Sequence, residues 1–135
     1  MQDAIMVDLN QPLVLVVDDI STVRVLLKDI LQELGFERIE EATDGAEALA
    51  IMEKGRPSII FSDYMMPNLD GLQFLKKVRE NPEFSDIPFI LISAVADKEI
   101  VNQAFALGLT KHFTKPIGFS QIQQCVVEFL APTMK

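Results

Sequence analysis

Cysteine is nearly missing from this chain. Cys125 is its one thiol, so no disulfide can form within it, and a reducing compartment is expected. Cys125 also falls in a helical apolar pattern, which marks it as core rather than nucleophile. Basic residues are scarce: 12 Lys and Arg stand against 20 Asp and Glu, a net charge of −8. That balance speaks against binding nucleic acid through its phosphates, which needs a basic face, and suits solubility. No apolar run approaches the length of a membrane span. Met1-Gln2-Asp3-Ala4 lacks the basic segment that opens a signal peptide. The expectation is a cytoplasmic protein that engages neither nucleic acid nor membrane. Repeats, low-complexity tracts and internal linkers are absent too. What is present is 135 residues, 49% hydrophobic and 24% charged, enough for one domain with a real core.

Residues 1–12 read as a short leader, residues 13–130 as the domain, and residues 131–135 as a tail. Leu13-Val14-Leu15-Val16-Val17 is a continuous apolar, β-branched run, which suits a strand buried on both faces of a parallel sheet. It ends on Asp18 and Asp19. Ser21 is expected to help cap the helix that follows, whose Val23, Leu27, Ile30 and Leu34 form one stripe before Gly35 stops it. Residues 37–41 read as a more polar strand near an edge. Asp44-Gly45-Ala46-Glu47 resembles a capping box and opens a helix that fades at Gly55-Arg56-Pro57. Residues 58–62 form the next buried strand and end on Asp63. A loop with Pro67 leads to Asp70-Gly71 and a helix through Glu80, with Leu72, Leu75 and Val78 as its apolar contacts. Residues 87–92 form a fourth strand, ending at Ser93-Ala94. Asp97 is placed to cap a helix that Gly108 closes. Residues 110–114 form a short fifth strand leading into Lys115-Pro116, and a last helix covers residues 119–130.

Five strands thus alternate with five helices. The fold class expected is α/β, a doubly wound five-stranded parallel sheet with helices on both faces. Its natural strand order is the flavodoxin-like 2-1-3-4-5. In that order strands 1 and 3 adjoin, so Asp18, Asp19 and Asp63 converge at the switch point, with Ser93 and Lys115 beside them. Taken singly, each is ordinary: an Asp after a strand is most often a cap or turn former, Ser93 a capping hydroxyl, Lys115 a solvated charge. Together they are not. Two carboxylates about 4 Å apart repel by roughly 4 kcal/mol at an effective dielectric near 20. A hard divalent cation relieves that repulsion, and Mg²⁺ takes one or two carboxylates plus water and phosphate oxygens. With Lys115 added, the pocket suits phosphoryl transfer, where catalysis is mostly positioning and charge neutralisation.

Val16-Val17-Asp18-Asp19, Asp63 with Met66-Pro67 and Asp70-Gly71, Ser93-Ala94 and Lys115-Pro116 stand in the order and spacing of a known family. Over residues 13–130 the chain resembles the response-regulator receiver domain, especially its single-domain, CheY-like chemotaxis type. The resemblance implies that Asp63 is the phosphoacceptor. It implies Mg²⁺ (or Mn²⁺) held by Asp19, Asp63 and the Met65 carbonyl, with Asp18 acting through a metal-bound water. Lys115 and the Ser93 hydroxyl would each meet a phosphoryl oxygen, and Lys115-Pro116 would be cis. The donor would be a histidine kinase, a phosphotransfer protein or acetyl phosphate. His112 occupies the strand-5 position where Tyr or Phe is common, so a switching role and a solvated edge residue are both open readings. Ile100, Ala104 and Leu107 form the inner stripe of the fourth helix. Val101 and Phe105, one position on, would join His112 in a partner face, or Phe105 would be buried at the stripe's margin. Met65 and Val95 are apolar where relatives often carry polar groups, which implies slow self-dephosphorylation.

No second domain is read in the chain, so the expected output is contact with another protein by a monomer, not enzymatic turnover. A motility switch fits best. A phosphorelay intermediate, passing its phosphoryl group to a histidine phosphotransfer protein, is the alternative. A Mg²⁺-dependent phosphatase of the haloacid-dehalogenase type would need Asp-x-Asp after strand 1. The chain has Asp18-Asp19-Ile20 there and no cap domain. A dinucleotide site would need glycines in the loop after strand 1, and there are none.

Overall fold

The computed structural model describes residues 11–94 and 98–134, the last four of these as backbone only. Residues 1–10, 95–97 and 135 lie outside the described residues, and with them most of the leader, the tail's last residue, the cap expected of Asp97 and the role expected of Val95. The elements are β1 (Leu13–Val17), α1 (Ser21–Glu33), β2 (Arg38–Ala42), α2 (Gly45–Lys54), β3 (Ile59–Asp63), α3 (Gly71–Glu80), β4 (Phe89–Ser93), α4 (Lys98–Ala106), β5 (Lys111–Thr114) and α5 (Phe119–Met134). All pairings are parallel and the order is β2-β1-β3-β4-β5, as the alternation of strand and helix patterns predicts.

Side-chain alternation along the strands divides the interior in two. Val14 and Val16 of β1 join Phe61, Ile90 and Ile92, and face Leu27, Ile30 and Leu31 of α1 and Ile122, Cys125 and Val126 of α5. Leu15 and Val17 join Ile60, Phe89 and Leu91, and face α2, α3 and Ala104 of α4. Every residue of β1, β3 and β4 is buried, which explains why these strands read as unbroken apolar runs. β2 and β5 are only partly covered and close the two edges of the sheet. Phe74 and Phe89 are both fully buried with ring centroids 5.2 Å apart. Burying such a side chain is worth about 1.5–3 kcal/mol.

Several boundaries shift for identifiable reasons. The N-cap of α1 is Ile20, with no side-chain cap bond, and Ser21 already lies within the helix, so it does not cap it. β2 begins at Arg38 rather than Glu37. β4 begins at Phe89 because Ile87 still belongs to a turn, its N–H bonding the Phe84 carbonyl at 3.1 Å, and Pro88 has no N–H to give. In α3 the main apolar contact is Phe74, with Leu75 and Val78, while Leu72 is only partly buried. α5 runs to Met134, past the expected end at Leu130. Cys125 is buried and its thiol pushed up to about 11, first by burial, as its place in the core requires.

Candidate functional site

The carboxyl ends of β1 and β3 lie side by side, so the acids that follow them meet. The Asp18 N–H continues the β1–β2 ladder to the Ala42 carbonyl at 3.0 Å. Its Oδ1 accepts from the Ile20 N–H at 2.9 Å, and its own carbonyl accepts from Arg24 Nη1 at 2.6 Å. Arg24 is held in turn by Glu41 at 3.2 Å. Asp18 and Asp63 are buried, at 2% and 6% exposure, and Asp19 is exposed. The three carboxylates offer ligand atoms that lie within 4.8 Å of one another.

Lys115 reaches this cluster from the far side. Its Nζ donates to Asp18 Oδ2 at 3.0 Å and lies 3.3 Å from Asp63 Oδ1. The backbone aims it: the Lys115 N–H bonds the Ser93 carbonyl at 2.8 Å, and the Lys115–Pro116 peptide is cis, as the resemblance implies. Ser93 ends β4, one residue after Ile92, the β-partner of Asp63. Its hydroxyl, 4% exposed, makes a 2.9 Å hydrogen bond with His112 Nε2 on β5.

The β3–α3 loop is pinned from several sides. The Gly71 N–H bonds the Tyr64 carbonyl at 2.7 Å. Asp70 forms a full capping box with Gln73. Asn68 takes a left-handed φ of 65°, and its side-chain amide donates to Asp44 Oδ2 at 2.7 Å. The other oxygen of Asp44 caps α2 through the Glu47 N–H at 2.8 Å. The Gly45 N–H bonds the Leu69 carbonyl at 3.2 Å. In the box read at this helix start, the return arm of Glu47 reaches the Thr43 N–H, one residue before the cap. A β-carbon on Gly71 would overlap the Asp63 carbonyl oxygen and lie 2.8 Å from the Tyr64 Cα, so only glycine lets α3 start this close to the strand.

The charges do not balance within the pocket. Burial, and then the charge of Asp18, raises the Asp63 carboxyl above its ordinary value, against the pull of Lys115. Burial works against the Lys115 ammonium, but the hydrogen bond and charge of Asp18, and then those of Asp63, hold its pKa above the usual value. Three carboxylates and one ammonium leave an excess of negative charge. The donor set is all oxygen, which suits a hard cation, and the cluster is compatible with Mg²⁺ binding.

Asp18, Asp19, Asp63 and Lys115 therefore come together as the sequence predicts. Met65, two residues after Asp63 in the loop, is 72% exposed. His112 is half-buried, and burial lowers its pKa. It is hydrogen-bonded to Ser93 rather than simply solvated. Phe105 is exposed at 48%, not buried at the margin of α4, and Val101 is half-buried. Three supporting residues were not legible as such. Arg24 gives no signal in sequence. Asp44 reads only as a cap, and Asn68 only as part of a turn.

The response regulator receiver domain family matches residues 14–127. The probable chemotaxis protein CheY of Rhizobium etli is 37% identical over 113 residues, which cover 84% of this chain and 88% of that protein. Among solved structures, the chemotaxis response regulator CheY4 of Vibrio cholerae superposes with a TM-score of 0.81 at 32% identity, covering 89% of this chain and 99% of that one. The CheX–CheY–BeF3–Mg complex of Borrelia burgdorferi includes a chain with a TM-score of 0.79 at 28% identity, with 87% of each chain covered. Receiver domains are signalling domains rather than enzymes of ordinary turnover. A family match over nearly the whole sheet, joined to an acid cluster faced by Lys115 at its switch point, places this chain in the response regulator receiver domain family, as a CheY-like receiver of two-component signalling.

Proposed function

We propose that this protein is a response regulator, phosphorylated on Asp63 and signalling through phosphorylation-dependent binding to another protein, in chemotaxis or motility. The observation that carries the reading is the position of Lys115 Nζ, 3.0 Å from Asp18 and 3.3 Å from Asp63, over an acid cluster at the end of the central strands. The Asp63 carboxylate attacks the phosphorus of a phosphohistidine on a kinase or phosphotransfer protein, or of acetyl phosphate. An O–P bond forms as the P–N or P–O bond to the donor breaks, and the leaving imidazole or acetate takes the bonding pair. Asp19, Asp63 and the Met65 carbonyl, with Asp18 behind a water, would hold Mg²⁺ (or Mn²⁺), which when bound neutralises charge on the transferring group. Lys115 meets one phosphoryl oxygen and holds the acceptor in place. The Ser93 hydroxyl meets another. The output face would comprise Val101, Phe105 and His112, and would bind a motor switch or similar protein target. The CheY-like relatives support the motility role; no described helix is long and apolar enough to cross a membrane, and the reading is of a monomer working in the cytoplasm.

Treatment with beryllofluoride and Mg²⁺, read by ¹⁵N–¹H spectra, tests the site. Amide shifts are expected around Asp63, Ser93 and Lys115 in wild type, and none in Asp63→Asn. Acetyl phosphate should add one phosphoryl mass to wild type alone. An Asp63→Asn protein that responds as wild type does would remove Asp63 from the mechanism.

A further inference from the structure

We infer that Arg24 is a positioning residue for the metal site: its guanidinium clamps the backbone between β1 and α1 and so presets the Asp19 carboxylate for Mg²⁺. The role rests on the reading of the acid cluster as a Mg²⁺ site and adds to it a side chain outside the cluster. Arg24 lies one turn into α1, its N–H bonded to the Ile20 carbonyl at 3.2 Å. Side chains on a helix lean toward its N-terminus, so Arg24 reaches back over the turn that joins β1 to α1. There Nη1 donates to the Asp18 carbonyl at 2.6 Å, while Nε donates to Glu41 Oε1 on β2 at 3.2 Å. The Arg24 side chain is only 16% exposed, so neither bond is a loose surface contact.

The place is an unfavourable one for a cation. A helix start carries the positive end of the dipole and favours acids, yet α1 has no acid in its first turn and no side-chain cap at Ile20. A plain tie between α1 and β2 would need only the Glu41 pair, and Lys28 Nζ, 3.5 Å from Glu41 Oε2, already makes one. Arg24 instead makes the shorter of its two bonds to Asp18, and a charge-assisted bond of that length is a strong one. Two further bonds hold the same turn. The Asp18 N–H reaches the Ala42 carbonyl at 3.0 Å, and Asp18 Oδ1 takes the Ile20 N–H at 2.9 Å. The chain is thus fixed on both sides of Asp19, whose own side chain is exposed. Fixing the backbone there narrows the positions open to the Asp19 carboxylate. A ligand held in place before the ion arrives loses less freedom on binding, which raises affinity. The planar guanidinium fork lets one residue grip a carbonyl and a carboxylate together, which a lysine's point charge does not do.

Charge and position make opposite predictions. Removing a cation near the acids should tighten Mg²⁺ binding by Coulomb attraction, whereas loosening the turn should weaken it. Mg²⁺ alone is titrated into wild type and Arg24→Gln, and Kd is read from the ¹⁵N–¹H shifts of the Asp19 and Tyr64 amides. The expected Kd of Arg24→Gln is about tenfold weaker, the lower end of what partners behind metal ligands contribute. Lys28→Gln removes the same charge from the same helix without touching the Asp18 carbonyl, and its exposed, screened charge should leave Kd within about twofold of wild type. Arg24→Lys keeps the charge but not the fork, and is expected to bind about threefold more weakly than wild type, within the range of one ordinary hydrogen bond. It carries the test where Arg24→Gln does not fold. An Arg24 variant that binds Mg²⁺ as tightly as wild type, or more tightly, overturns the inference, and so does an equal loss in Lys28→Gln. Either result leaves the metal site itself in place. No saturable shift in wild type, or one that Asp63→Asn leaves intact, overturns the Mg²⁺ reading of the cluster and the inference with it.

Discussion

Asp44 joins two parts of the molecule with one carboxylate. One oxygen caps α2 and the other holds Asn68 of the β3–α3 loop. The backbone bond from Glu47, and then the Asn68 amide, hold its pKa below the ordinary 3.8. A carboxyl lowered on folding adds stability that is fully present above its unfolded pKa and is lost as pH falls through the folded one. Asp44→Ala is therefore expected to cost about 1 kcal/mol at neutral pH, the usual price of an N-cap. The gap to wild type should close as both are acidified below pH 4, as chemical denaturation at a series of pH values would show. A gap independent of pH would mean that the loss is one of packing alone. Here the limit of sequence is plain. The cap is legible because its partner is three residues away. The Asn68 bond spans 24 positions and exists only once the β3–α3 loop has folded back on α2. Arg24, which holds the Asp18 carbonyl, is invisible in sequence for the same reason.

The elements themselves were legible wherever burial on both faces leaves a continuous apolar run, as in β1, β3 and β4. Their ends are less legible, because backbone bonding decides them: Ser21 enters α1 instead of capping it, and Ile87 closes a turn ahead of β4. Phe74, the largest contact of α3, is hidden in sequence because Leu72 and Leu75 already satisfy a helical spacing. Gly71 is an element boundary where sequence identity and geometry are inseparable. Its α-hydrogen faces the Asp63 carbonyl where any side chain would collide with backbone rather than with a movable group. Gly71→Ala should thus lose more than about 2 kcal/mol in a denaturant titration, since relief requires moving β3 or α3. It should also lower the rate of modification by acetyl phosphate in the protein that remains folded, by shifting Asp63. A variant with wild-type stability and rate would show that the helix can retreat without moving the acceptor.

For the molecule as a whole, the convergence of Asp18, Asp19, Asp63 and Lys115 followed from strand order, which alternation of elements suggests and the pairing of β1 with β3 realises. The unbalanced charge predicts that folding is sensitive to divalent cations. Mg²⁺ at a hundredfold excess over its Kd should stabilise the fold by about 2.7 kcal/mol, raising the melting temperature in a way that chelation reverses. Asp63→Asn should lose most of that gain. An unchanged gain would place the ion elsewhere. The two cores are not equally deep at every helix. α3 seats Phe74, Leu75 and Val78 fully, and α1 seats Leu27, Ile30 and Leu31. Among its described residues α4 fully buries only Ala104, a single methyl, with Ile100 and Val101 half-buried, while Phe105 stands in solvent. Helices anchored by so little open at low free energy without unfolding the rest. In hydrogen–deuterium exchange, α4 amides should lose protection before those of α1 and α3, and equal protection would refute this. On that expectation the thermodynamic cost of rearranging that face would be correspondingly small, and a modest differential affinity, of partner or of phosphoryl group, would be enough to repopulate it.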